Sequence, residues 1–117
     1  MATAAELLAA NLHQVFGNRD AASRREAIDA TYTDDVAFTD PEGTETGRDA
    51  LEKKAASLID TAPADFVFEE QGLAYTSADS GALAWTFGPS GAPVARGIDL
   101  ITIRDGKISA LSTLLHE

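Results

Sequence analysis

Two aspartates stand where the hydropathy pattern asks for an apolar side chain. Asp40 ends the run Val36-Ala37-Phe38-Thr39, and Asp99 falls inside the stretch Gly97–Ile103. Side chains along a strand point alternately to its two faces. Val36, Phe38 and Asp40 therefore share one face, and Asp99 shares another with Ile101 and Ile103. A carboxyl on an apolar wall is desolvated, which raises its pKa and suits it to act as an acid, a base or a hydrogen-bond donor near neutral pH. Two such groups in different surroundings can divide the roles of proton acceptor and oxyanion stabiliser. Each also has a plainer reading. Asp40-Pro41-Glu42-Gly43 fits a type I turn position by position. Asp99 is compatible with an edge strand or a register break, with Gly97 marking a bulge that would also flip Arg96.

The elements that must carry these residues follow from periodicity. Thr3 and Glu6 have capping-box spacing. Ala5, Leu8, Leu12, Val15 and Phe16 then recur at helical spacing, predicting a helix over 4–16 that Gly17 and Asn18 end. A second helix follows Asp20 and ends at Tyr32. A strand covers 35–39. The third helix carries Leu51, Ala55, Leu58, Ile59 and Ala62 and stops before Pro63. Residues 65–77, 81–88, 93–104 and 107–115 alternate as strands, with Asp105-Gly106 as a two-residue hairpin turn. Three helices in the first half and an antiparallel meander after them predict a single α+β domain over residues 1–117, helices covering one sheet face.

Composition excludes several function classes. Nine basic against nineteen acidic residues give a net charge of −10, a field that repels nucleic acid and anionic membrane surfaces. No apolar run approaches the ~20 residues of a membrane span. The start lacks a signal peptide's basic and continuous apolar regions. Cysteine is absent, so no disulfide framework or thiolate chemistry is available, and a cytoplasmic location is expected. There is no phosphate-binding glycine motif, and with only His13 and His116 no histidine-rich metal site is expected. No cofactor is expected.

The segments "AIDATYTDDVAFTDPEG", "GRDALEKK" and "RGIDLITIRDGKISAL" together resemble the NTF2-like superfamily. Within it, they are most similar to the branch of ketosteroid isomerases and SnoaL-like polyketide cyclases. The resemblance spans essentially the whole chain. It implies a cone-shaped fold, a curved, mostly antiparallel sheet wrapped around three helices and enclosing an apolar cavity. It also implies that Asp40 matches a general base working alpha to a carbonyl, and that Asp99 matches a carboxylic acid donating to the enolate oxygen. Ketosteroid isomerases place a tyrosine on the first helix as main oxyanion donor; here that helix offers Leu12, His13 and Phe16 instead. His13, Phe16, Tyr32, Phe38, Trp85 and Ile101 are the expected lining of a site for a small apolar ligand. Arg96 and Arg104 fall on the face opposite Asp99, against the Asp-Arg-Asp water-activating site of related epoxide hydrolases. The resemblance further implies a homodimer through the outer sheet face, where Ile98, Leu100, Leu111 and Leu115 are expected to be exposed.

Overall fold

The first helix starts where its two orphan backbone donors find partners. Glu6 N donates to Thr3 Oγ1 at 3.1 Å and Thr3 N to Glu6 Oε1 at 2.9 Å. The computed structural model describes residues 2–116. Helix α1, Ala4–Ala10, runs directly into a π-helical segment, Asn11–Phe16, whose wider turn is closed by Gly17 N donating to the Leu12 carbonyl at 2.8 Å. Helix α2, Ala21–Thr31, is capped by Asp20, which accepts from Ser23 N at 2.9 Å. Helix α3 spans Arg48–Thr61 and buries Leu51, Ala55 and Ile59. Gly47 precedes it at φ 98°, a left-handed conformation that glycine adopts without strain.

Six strands form one curved sheet: β1 Tyr32–Asp40, β2 Gly43–Thr46, β3 Phe66–Thr76, β4 Ser80–Pro89, β5 Ala95–Arg104 and β6 Lys107–Leu115. Their spatial order is β2-β1-β6-β5-β4-β3. Strands β3 to β6 are the expected meander. Asp105 at φ 56° and Gly106 at φ 77° make the tight turn between β5 and β6. Strand β1, by contrast, lies parallel to β6, so the sheet is mixed.

Three expectations about these elements change. Strand β1 begins at Tyr32 rather than 35, because the fully buried ring turns the chain out of α2 and into the sheet. The short β2 was not visible, since all four of its residues are exposed. Leu111 is buried rather than exposed. Ile103 pairs with Ile108 while Thr102 pairs with Ala110, so Ser109 is an extra residue, a bulge that brings Ile108 and Leu111 to the same inner face.

The core lies between the helices and the concave face of the sheet, around Leu8, Leu12, Ile28, Leu51, Ile59 and Leu111, each nearly inaccessible. Fully burying one such side chain contributes roughly 1.5–3 kcal/mol. Among the described residues no helix is long and apolar enough to cross a membrane.

Candidate functional site

The parallel β1–β6 pairing brings the two aspartates together. Thr39 is registered with Ser112, so Asp40 stands beside Thr113, and Thr113 pairs with Asp99 on the next strand. Asp40, Thr113 and Asp99 thus form a row across three neighbouring strands, the two outer backbones roughly 10 Å apart at two strand spacings. All three line one cavity of about 320 Å³, within the range of small-ligand sites. Phe16, Phe38, Phe68, Trp85 and Phe87 are the aromatic part of its wall. Their rings pack in contact: Phe68 stacks on Phe87 with centroids 4.2 Å apart, Trp85 meets Phe68 edge-on at 5.2 Å, and Phe16 tilts against Phe38 at 5.6 Å.

Asp40 both makes a turn and lines the cavity. Its Oδ1 accepts from Glu42 N at 2.9 Å, the contact of the turn. Its Oδ2 lies 3.2 Å from Lys54 Nζ, which also pairs with Glu42, and Asp40 and Lys54 both line the cavity. The bond to Glu42 is the main reason the Lys54 ammonium is held above its usual pKa. Asp40 is the outer carboxyl and Asp99 the buried one, only 5% exposed.

Asp99 is surrounded by donors. Thr113 Oγ1 donates to its Oδ1 at 2.8 Å and Asn11 Nδ2 to its Oδ2 at 2.9 Å. Burial pushes the Asp99 carboxyl above its ordinary value, while Thr113, Trp85 and Asn11 pull it back toward the charged form. The Trp85 indole is close enough to act on Asp99, yet its buried Nε1 meets no acceptor in hydrogen-bond geometry. We read it as an N–H turned toward the carboxyl without a formed bond.

Tyr32 fixes the direction of this network. Its ring is fully buried, and its hydroxyl donates to Asn11 Oδ1. Were the Asn11 amide reversed, the Tyr32 hydroxyl hydrogen would be a buried donor without an acceptor, at a cost of about 1–3 kcal/mol. Nδ2 therefore faces Asp99. Burial, and then the charge of Asp99, push the Tyr32 hydroxyl well above its ordinary pKa, so it stays a donor.

Gly97 pairs regularly with Trp85 and Leu115, so no bulge lies there and Arg96 stays on the outer face, 3.4 Å from Gln71. The glycine is needed for space. A Cβ at that position would come within 2.5 Å of Trp85 Cζ2.

Of the expected lining, Phe16, Phe38 and Trp85 are brought to the cavity with Asp40 and Asp99. His13 is not; it lies half-exposed and bonds Glu70 at 2.8 Å, because it flanks the buried stripe of its helix. Tyr32 supports Asn11 from behind the wall. Ile101 lies in the core beside Leu111, one residue pair beyond the cavity row. Asn11, Lys54, Thr113, Phe68 and Phe87 were missed. Asn11 carried a signal, a polar side chain three and four residues after Leu8 and Leu7 on an apolar helix face. Lys54 likewise sits between Leu51 and Leu58 on one helix row. Among the described residues, no group of three or more His, Cys, Asp or Glu side chains converges as a metal site.

The fold has close counterparts. A candidate isomerase of the SnoaL-like family from Agrobacterium tumefaciens superposes with a TM-score of 0.85 at 18% identity, covering 95% of each chain. A candidate polyketide cyclase from Sinorhizobium meliloti gives 0.71 at 18% identity over 92% of each. A protein with a cystatin-like fold from Xanthomonas campestris gives 0.75 at 16% identity, covering 99% of this chain and 92% of that one. Among curated proteins no sequence relative is found. At these identities the structures establish a shared NTF2-like architecture, as the resemblance implied. The sequence carries the assignment further, for residues 9–111 match the SnoaL-like domain, and the chain belongs to that family.

Proposed function

We propose that the protein binds a small apolar molecule in the cavity and moves a proton on it without a cofactor, as an isomerase or cyclase does at a carbon next to a carbonyl. The observation that carries this reading is the row Asp40–Thr113–Asp99 on the wall of an aromatic hollow. Asp40, the outer carboxylate, takes the α-proton. Asp99, which takes up a solvent proton when a ketone binds, passes it to the substrate oxygen as the electron pair of the broken C–H bond moves there, and the enol hydroxyl so formed donates back to the Asp99 carboxylate. The names of the structural neighbours, isomerase and polyketide cyclase, belong to this chemistry.

The test uses 2-tetralone and other bicyclic ketones in D2O, with α-carbon exchange followed by NMR. Wild type is expected to exchange the α-protons faster than buffer. Asp40→Asn, at matched folding, should lose about 10²–10⁴ of that rate, the usual contribution of a positioned base. Wild-type exchange no faster than buffer across the series would sink the catalytic reading. A second reading, a pocket that binds without turnover, is favoured by one feature: both oxygens of Asp40 are already engaged, by Glu42 N and by Lys54.

We further propose that two copies pair through the outer face of the sheet. Tyr75, Ile98, Leu100 and Leu114 are exposed there, and Leu114 takes the place expected of Leu111. The lack of cysteine fits a cytoplasmic location.

A further inference from the structure

We infer that the depth of the cavity recognises a hydrogen-bond donor, so its ligands are apolar molecules presenting a hydroxyl, as an alcohol or as the enol form of a ketone, to Asp99. This rests on the reading that the cavity holds a small apolar ligand, and it specifies which oxygen chemistry is accepted.

Every polar side chain around Asp99 donates toward it. Asn11 can offer only Nδ2, because Tyr32 occupies its Oδ1. Trp85 has a donor and no acceptor. Thr113 donates from the third side. A carboxylate has about four lone-pair sites. Two are filled by formed bonds and Trp85 Nε1 forms none, so capacity is left toward the hollow that Asp99 lines. Among the described residues no cation pairs with Asp99 to use that capacity. A ligand hydroxyl supplies the missing donor. A bare carbonyl would bring a second acceptor to face the carboxylate. The resemblance implied the opposite direction, with Asp99 donating to the ligand. The difference lies in Asn11 and Tyr32, which together aim an obligatory donor at the carboxyl.

The experiment is a binding series of matched shape: indan-1-ol, indan-1-one and indane, titrated against the whole chain by calorimetry or by the fluorescence of Trp85. The alcohol is too weak an acid to ionise, so a preference for it reports donation by the ligand. Indan-1-ol is expected to bind about tenfold or more tighter than indan-1-one, as a hydrogen bond to a charged group allows. In Asp99→Asn the amide oxygen keeps the Asn11 bond and Nδ2 replaces the oxygen facing Thr113, whose hydroxyl can turn to accept; the second N–H is then free for the hollow, and the ranking should reverse toward the ketone. If that variant does not fold, the wild-type ranking alone decides. A tighter ketone, or equal affinities for alcohol and ketone, overturns the inference and leaves the pocket standing. Binding of none of the three overturns both this inference and the ligand-site reading beneath it.

Discussion

Asn11→Ala is expected to lower the unfolding free energy by about 3–5 kcal/mol, a large loss for a polar residue on a short helix. Asn11 is fully buried and bonds two other buried groups, the Tyr32 hydroxyl and Asp99 Oδ2. Alanine leaves both without a partner. Each orphaned group costs about 1–3 kcal/mol, more where one is charged, and the deleted amide leaves a void besides. The π-helical turn that begins at Asn11 adds no compensation, since its backbone bonds do not depend on the side chain. Urea denaturation measures the effect through the midpoint at unchanged slope. Tyr32→Phe removes only one bond of the chain and should cost about 1–2 kcal/mol. The double variant should be more stable than the sum of the two singles predicts, because phenylalanine no longer strands a hydroxyl when Asn11 is lost. A loss below 1 kcal/mol for Asn11→Ala would show that the network is not formed in solution.

Gly97→Ala is expected to destabilise the fold by about 1–3 kcal/mol or more and to disturb the cavity in the same step. An added Cβ would stand 2.5 Å and 2.8 Å from Trp85 Cζ2 and Cη2, and 2.7 Å from the Leu114 carbonyl oxygen. The indole is itself packed against Phe68, and the Leu114 oxygen belongs to the strand next door. Neither neighbour is the free end of a flexible side chain, so the ring and the backbone of β6 must both shift. Since Trp85 is the chain's one tryptophan, its fluorescence reports the displacement directly. A lowered melting temperature with an altered emission spectrum is the expected pair of results. Unchanged values of both would mean that the ring does not rest on Gly97.

What could be read in advance was local. The capping pair Thr3 and Glu6 and the Asp105-Gly106 turn announce themselves within a few residues, and the structure forms both. The misplaced apolarity of Asp40 and Asp99 was equally visible, since alternation assigns each to a face. Alternation does not say which strands are neighbours. The parallel contact of β1 with β6 joins strands some seventy residues apart, and on it depends the placing of Asp40 beside Thr113. Nor does alternation survive an inserted residue, which is why Ser109 defeated the reading of Leu111. The π-helical turn left no trace in the sequence Asn11–Phe16, because it keeps the same residues inward that an α-helix would. Asn11 and Lys54 follow the same pattern as the aspartates, polar side chains in apolar rows, but on helices.

Two carboxyls remote in the chain face one apolar hollow, and the proposed function requires that it take a small molecule. Carbon-13 NMR of the aspartate side-chain carboxyls, recorded while indan-1-ol is added, tests it most directly. The Asp40 and Asp99 resonances are both expected to move with one binding curve, while Asp79 and Asp105, in turns away from the cavity, stay in place. Saturable binding that leaves Asp40 and Asp99 unmoved, or moves only one of them, would contradict it.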